Sequence, residues 1–382
     1  MKKNLLVAVP LCAVSVFGQP MQPLPACPDG PLFQVIPMAA DDYIAFRPLG
    51  FITVPTHFCP AKHSSFILAL PGEPTPVKEV RFPGDAWVVD ILSTRFSTGN
   101  TGYQLQFQPC DKVRSYFYHL KDISPALKDA FEGAEKRCFD QEFPDGSVVK
   151  CQARTFVQVA TGELAGYTGD GSSGIDFGLV DLRLEPKGFT DLANYPFDYP
   201  YYASPIDYYP PDVKAQFEEK LASWDGKSKR IAEPRVGTHR IDIPGAAQGG
   251  WFFPGSNMRT NPDDMTAHLA LVSDYIAPDQ PVIVMGNKVA TARIGLYSLQ
   301  PSPSGDVNRP FHEVSPGSLY CYEGMRSGRT AGQLPLGNLE GVLLISLTGE
   351  TTLVVEKQGG AGASCDSLRP WRFTENATAF RR

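Results

Sequence analysis

Three imidazoles and one aspartate are the side chains of this sequence best suited to chemistry. His57 and His63 stand close together, and His63 opens H-S-S-F-I-L-A-L-P-G. His119 closes Y-F-Y-H-L at Tyr116–Leu120, and Asp176 sits between apolar neighbours in G-I-D-F-G-L-V-D at Gly174–Asp181. A zinc hydrolase needs about three His, Asp, Glu or Cys ligands and one position open to water. It also needs a base for the water's proton and donors for the developing oxyanion. His63, His119 and Asp176 offer such a set if the fold brings them together. The blander reading, hydrogen-bonded residues that hold strands in place, is favoured for His63 and His119. Ser64 and Ser65 lack the G-x-S-x-G elbow of a serine hydrolase. Thr168-Gly169-Asp170-Gly171 lacks the spaced acids of a calcium loop and reads as a turn.

The stretches that carry these residues alternate polar or small residues with Val, Ile, Leu and Phe, which is the pattern of short strands. Tyr43–Val54 reads as one or two strands. Residues 63–120 read as several more, with turns at Pro71-Gly72, Pro83-Gly84 and Thr98–Gly102. Ser124–Arg137 has Ser at an N-cap position, Pro in the first turn, and Leu127 and Phe131 four apart, which predicts a short helix. A cysteine-flanked hairpin with Pro-Asp-Gly at its corner follows, then strands at Thr155–Ala160 and Ile175–Leu184. The Pro- and Tyr-rich segment Tyr195–Pro211 reads as a packed strap rather than a strip for sugars. A second helix is expected at Asp212–Trp224, with Val213, Phe217, Leu221 and Trp224 on one face. From Arg235 on, strands recur at H-R-I-D-I, G-W-F-F, H-L-A-L-V, P-V-I-V-M-G, A-R-I-G-L-Y-S-L, G-V-L-L-I-S-L and T-T-L-V-V-E. Trp251–Phe253 reads as core; His239, Asp242 and His268 have no metal spacing.

The fold class is therefore mainly β: an antiparallel N-terminal domain with a helix and hairpin insertion, and a C-terminal β-sandwich-like domain. The expected divisions are a signal peptide at 1–18, an irregular lead-in at 19–42, a first β-domain at 43–190, a linker and helix at 191–230, and a second β-domain at 231–382. Lys2-Lys3 followed by an apolar run from Leu5 to Phe17 has the make-up of a secretory signal. No later stretch approaches the ~20 apolar residues of a membrane span. A net charge of −6 with no basic block gives no footprint for nucleic acid. Of eight cysteines, Cys12 falls in the signal-like run, and disulfides are the default for the rest of an exported chain. Cys138 pairs with Cys151 across the hairpin, and Cys321 with Cys365. Cys59 is assigned to Cys110, leaving Cys27 over.

Residues 45–185 resemble the lysostaphin and LytM-type peptidoglycan endopeptidases, built on a duplicated-hybrid-motif β-fold. The likeness rests on His63, on Ala69-Leu70-Pro71 and Thr75-Pro76-Val77, on Pro83–Val88, on Tyr118-His119-Leu120 and on Gly174-Ile175-Asp176-Phe177. The resemblance implies a zinc ligand at His63, a carboxylate ligand where Ile67 stands, and assistance from His119. It further implies a catalytic histidine where Gly174 stands and a histidine ligand where Asp176 stands. What it implies here is a degenerate member: an exported, catalytically inactive protein of the periplasm or cell exterior. That protein would bind peptidoglycan or another envelope protein and carry no cofactor. The alternative is an active peptidase with zinc in a rearranged His63, His119 and Asp176 site.

Overall fold

The computed structural model describes residues 23–54, 57–97, 99–143, 146–260, 267–327 and 337–382. The signal-like run, Thr98 and the Pro144-Asp145 corner of the hairpin lie outside the described residues. Every pairing between strands is antiparallel, as the alternating pattern requires.

Among the described residues, twelve strands build the N-terminal part: β1 Ala45–Arg47, β2 Ser64–Ile67, β3 Glu79–Arg81, β4 Ala86–Arg95, β5 Thr101–Cys110, β6 Val113–Leu120, β7 Asp122–Ile123, β8 Lys136–Phe143, β9 Gly146–Val159, β10 Leu164–Tyr167, β11 Gly174–Asp181 and β12 Tyr202–Ala203. The main sheet runs β1-β2-β11-β6-β5-β4-β9-β8, with β12 added to β11. Strands β3, β10 and β7 form a small second sheet. One face of the main sheet is core. Phe46, Phe66, Ile175, Phe177, Leu179, Phe117, Leu105, Phe107, Val88 and Ile91 all point there and are buried. Burying each phenylalanine is worth about 1.5–3 kcal/mol. Because side chains alternate, the residues between them must share the opposite face.

The region expected to be an irregular lead-in is irregular in backbone but tightly packed. Leu32, Phe33 and Met38 are buried in the same core, with Phe33 against Phe107, Phe177 and Tyr209. Cys27 is fixed to Cys110 by a disulfide, and Cys59 is free and buried. That corrects the Cys59–Cys110 pairing. The reason is the packed lead-in, which crosses the sheet to the end of β5. Cys138–Cys151 and Cys321–Cys365 are formed as expected. Three disulfides suit an oxidising compartment. No helix among the described residues is long and apolar enough to cross a membrane.

Helix α1 spans Pro125–Gly133 and buries Leu127 and Phe131. It ends four residues before the expected point because Lys136 and Arg137 already pair with β9. Helix α2, Pro211–Lys220, buries Phe217; Leu221 is also buried but lies past its end. Within the strap, Tyr195, Tyr199, Tyr202 and Tyr209 are buried, so their rings serve packing. Of Tyr43–Val54 only β1 is strand.

The C-terminal part encloses its core with one curled sheet in place of two stacked ones. Its order is Leu319–Tyr322, Val342–Leu347, Thr352–Gln358, Thr378–Arg381, Gly249–Phe252, His268–Ser273, Pro281–Met285, Gly295–Ser298 and Arg326–Ser327. Trp251, Leu269, Ile283, Tyr297, Leu343 and Val355 fill the interior. On the other face, Ile52, Val54 and Phe58 from the N-terminal part pack on Ala270, Val282 and Val284. The H-R-I-D-I segment at 239–243 is not a strand. His239 Nε2 bonds the Tyr199 carbonyl at 2.9 Å, and Asp242 accepts from the Thr190 and Gly250 amides.

Non-reducing peptide mapping should recover Cys27 joined to Cys110. Burial pushes the Cys59 thiol up to about 12, so iodoacetamide should label it only after unfolding. A cross-linked peptide containing Cys59 would overturn this pattern.

Candidate functional site

The register of three strands assembles the site. Ser65 on β2 lies opposite Asp176 on β11, and Asp176 lies opposite Tyr118 on β6. All three belong to the face away from the core. His119 follows Tyr118 and in a regular strand would point into the core. A bulge prevents this: Leu105 pairs with Phe117 and Tyr103 with Leu120, so Tyr118 and His119 together face the single residue Gln104. Bulges re-aim side chains in this way. The backbone at His119 accommodates it with φ of 71°, a left-handed conformation uncommon outside glycine.

His63, His119 and Asp176 are thus brought together, with the carboxylate as their common partner. His63 Nδ1 is 3.2 Å from Asp176 Oδ1, and His119 Nε2 is 3.4 Å from Asp176 Oδ2. Ser65 donates its hydroxyl to Asp176 Oδ1 at 2.6 Å. The other ring nitrogen of His119 faces Asp170 Oδ2 at 3.4 Å, and Asp170 is held by the Ser172 amide. Behind Ser65 lies Arg47, with Nη2 3.5 Å from the hydroxyl and its guanidinium 3.6 Å above the Phe51 ring. His57 adds a second imidazole, its ring 5.2 Å from that of His63.

Charge follows from these contacts. Burial favours a neutral Asp176, but His63, His119 and the Ser65 hydroxyl outweigh it and hold the carboxyl well below the usual range. Burial holds His63 below its ordinary value against the pull of Asp176. His63 Nδ1 lies between Asp176 and the Ser64 carbonyl, so a proton on that nitrogen has an acceptor on either side. Burial, with His63 and Arg47 adding, lowers His57 to about 3. His119 goes the other way: desolvation opposes its charge, yet Asp170 and Asp176 push it up to about 10. Only a doubly protonated ring can donate to carboxylates from both nitrogens.

The two positions where the sequence departs from a metal-peptidase pattern are closed by packing. Ile67 is 1% exposed and sits with Ala45 and Ala222 in an apolar cluster. At Gly174, an added Cβ would meet the Phe66 carbonyl oxygen at 2.0 Å, so no side chain fits there. No choice of one atom each brings His63, His119 and Asp176 all within 4.8 Å of one another. Among the described residues that condition is met by Cys27, Cys110 and Asp111, whose two sulfurs are bonded to each other. The site is therefore a carboxylate bridged between imidazoles, with its ligand atoms turned on one another. Sequence reasoning found its three central residues and missed Asp170 and Arg47. In the sequence Asp170 reads as part of a glycine turn, and nothing local marks Arg47.

No family model, curated protein or solved structure matches the chain.

His119 adds stability that is fully present below its unfolded value of 6.5 and is lost as pH rises through about 10. Asp176 adds stability that is present above the ordinary carboxylate value and lost as pH falls through its depressed one. His57 must remain neutral, so stability also falls between pH 6.5 and about 3. Proton NMR titration should show His119 still protonated at pH 8. A midpoint within one unit of 6.5 would contradict the double carboxylate contact. Gly174→Ala should cost about 3 kcal/mol or more in denaturant unfolding, at the upper end of overpacking effects.

Proposed function

We propose that this chain is an exported, catalytically inactive relative in kind of the peptidoglycan endopeptidases, acting in the cell envelope by binding rather than by cutting. The observation that carries the reading is the double closure at Ile67 and Gly174. One ligand position lies in an apolar cluster, and the position of the second imidazole has no room for a side chain. The remaining carboxylate is engaged by Ser65 and two histidines. The three disulfides support the exported part of the reading.

A rearranged zinc site remains the second reading, favoured by the convergence of His63 and His119 on Asp176. The donor set fits a metal poorly as it stands. Zinc binding displaces protons from its ligands, and His119, pushed up to about 10, is charged at neutral pH. No choice of one atom each from His63, His119 and Asp176 places the three within 4.8 Å of one another, so they do not form a ligand set for zinc as they stand.

Two measurements test the proposal. Purified sacculi should retain the protein in a pull-down while releasing no muropeptides. Metal analysis after purification without chelators should find zinc well below one per chain. Near-stoichiometric zinc, together with muropeptide release that disappears in His63→Ala, would replace the inactive reading with the active one.

A further inference from the structure

A sheet edge presents backbone amides and carbonyls that pair with an extended chain unless the edge is covered, bent or very short. Most edges of this molecule meet that condition. β1 is met by Leu221, and the C-terminal strand Leu319–Tyr322 by Val307, each through a single bridge. The other end of the C-terminal sheet, Arg326–Ser327, and the outer strands of the small sheet, β3 and β7, are two or three residues long. β8 differs. It ends the main sheet with eight residues, and no described strand pairs with its outer side. It holds one register on β9 throughout, without a bulge, and it contains no proline.

The pairing with β9 decides which groups the edge offers. Cys138 and Cys151 are directly opposed with Cα atoms 4.0 Å apart, the spacing of a pair that exchanges no hydrogen bonds. The N–H and C=O of Cys138 therefore point away from β9, and those of Lys136, Asp140 and Glu142 do the same by alternation. Arg137, Cys138, Phe139 and Asp140 are all exposed, Phe139 to 44%.

The order of residues along the strand selects an occupant. K-R-C-F-D-Q-E-F is basic before Phe139 and acidic after it. Glu132 of α1 already pairs with Lys136 at 3.1 Å, while Arg137 has no partner among the described residues. A parallel copy of the strand would set like charges together; an antiparallel copy sets unlike ones together. With a two-fold axis at Phe139, Lys136 falls opposite Glu142, Arg137 opposite Gln141, and Cys138 opposite Asp140. Every outward N–H and C=O then faces another, and Phe139 meets its own counterpart at a position without hydrogen bonds, where side chains lie closest. Sliding one step towards the hairpin corner would set Asp140 against Asp140. Sliding one step the other way would leave Gln141 and Glu142 outside the pairing.

We infer that β8 pairs antiparallel with β8 of a second copy of this chain, joining two main sheets into one continuous sheet about a two-fold axis at Phe139. One strand pair is smaller than the ~1,200–2,000 Å² of standard stable interfaces, so the association is weak and concentration-dependent. It uses neither the His63–Asp176–His119 cluster nor the envelope reading.

Sedimentation velocity of the full protein from about 1 μM to about 1 mM should show the mass rising from one chain towards two. Over the same range, residue-resolved hydrogen exchange at the Cys138 and Asp140 amides should slow at least tenfold. The Phe139 amide, which faces β9, should not change. Phe139→Lys sets like charges face to face on the axis and should weaken self-association at least tenfold. Its melting temperature should stay within about 2 °C of the parent, because the position is exposed. A chain that is monomeric throughout would overturn the inference and leave the edge to a different polypeptide. A dimer that survives Phe139→Lys, or that leaves the Cys138 and Asp140 amides unprotected, would also overturn it by placing the contact elsewhere.

Discussion

One ionised carboxylate in a mostly enclosed place sets the terms for the N-terminal sheet. The Asp176 side chain is 15% exposed, and a charge so placed is costly unless it is paired and hydrogen-bonded. The chain meets that condition from three directions. Ser65 donates from the neighbouring strand, His63 approaches from just before it, and His119 brings a full positive charge from the strand on the other side. Each contact depends on register. A one-residue slip of β2 or β6 against β11 would turn the partner to the core face and strand the carboxylate. The cluster thus fixes the alignment of three strands that are far apart in sequence, and removal of any one partner bears on all three.

The bulge in β6 shows how local strain serves that pairing. Without the extra residue opposite Gln104, His119 would project among Phe117, Leu105 and Ile123, where a charged ring has no counter-charge. With it, the ring lies between two carboxylates, at the cost of a left-handed backbone at a non-glycine residue, of order 1–3 kcal/mol. Asp170, only 5% exposed, would itself be a buried charge without His119. The strain and the two ion contacts are therefore one arrangement.

Much of this was legible in the sequence, and the parts that were not share a cause. Alternation around Phe66, Phe117 and Phe177 gives the strands and their core face, and so places Ser65, Tyr118 and Asp176 on the opposite face. The order His63, His119, Asp176 marks the convergence. The role of Asp170 was hidden because a Thr-Gly-Asp-Gly turn looks the same whether or not a histidine lies beyond it. Cys27 was left over because Leu32 and Phe33 carry no periodicity; their packing is set by contacts with β5 and β11 across the sheet. The H-R-I-D-I segment reads as a strand, yet its His239 and Asp242 are drawn to the strap and to Gly250. In each case a long-range partner overrode a local pattern.

The two glycines on β11 mark where packing leaves no room for a side chain. Gly178 leaves space for the Tyr116 ring, whose atoms a Cβ would meet at 2.1 Å, and Gly174 leaves space for the Phe66 carbonyl. Both lie on the same face as Asp176, two residues to either side. The bare Gly178 lets the Tyr116 ring from β6 lie over β11, and the bare Gly174 lets the β2 backbone approach closely. A histidine at 174 would have to push apart β2 and β11, the two strands whose register holds Ser65 against Asp176. A side chain at 174 would therefore disturb the pairing that keeps the carboxylate ionised. The close approach of β2 to β11 and the pairing of Asp176 with Ser65 are therefore one constraint at this position.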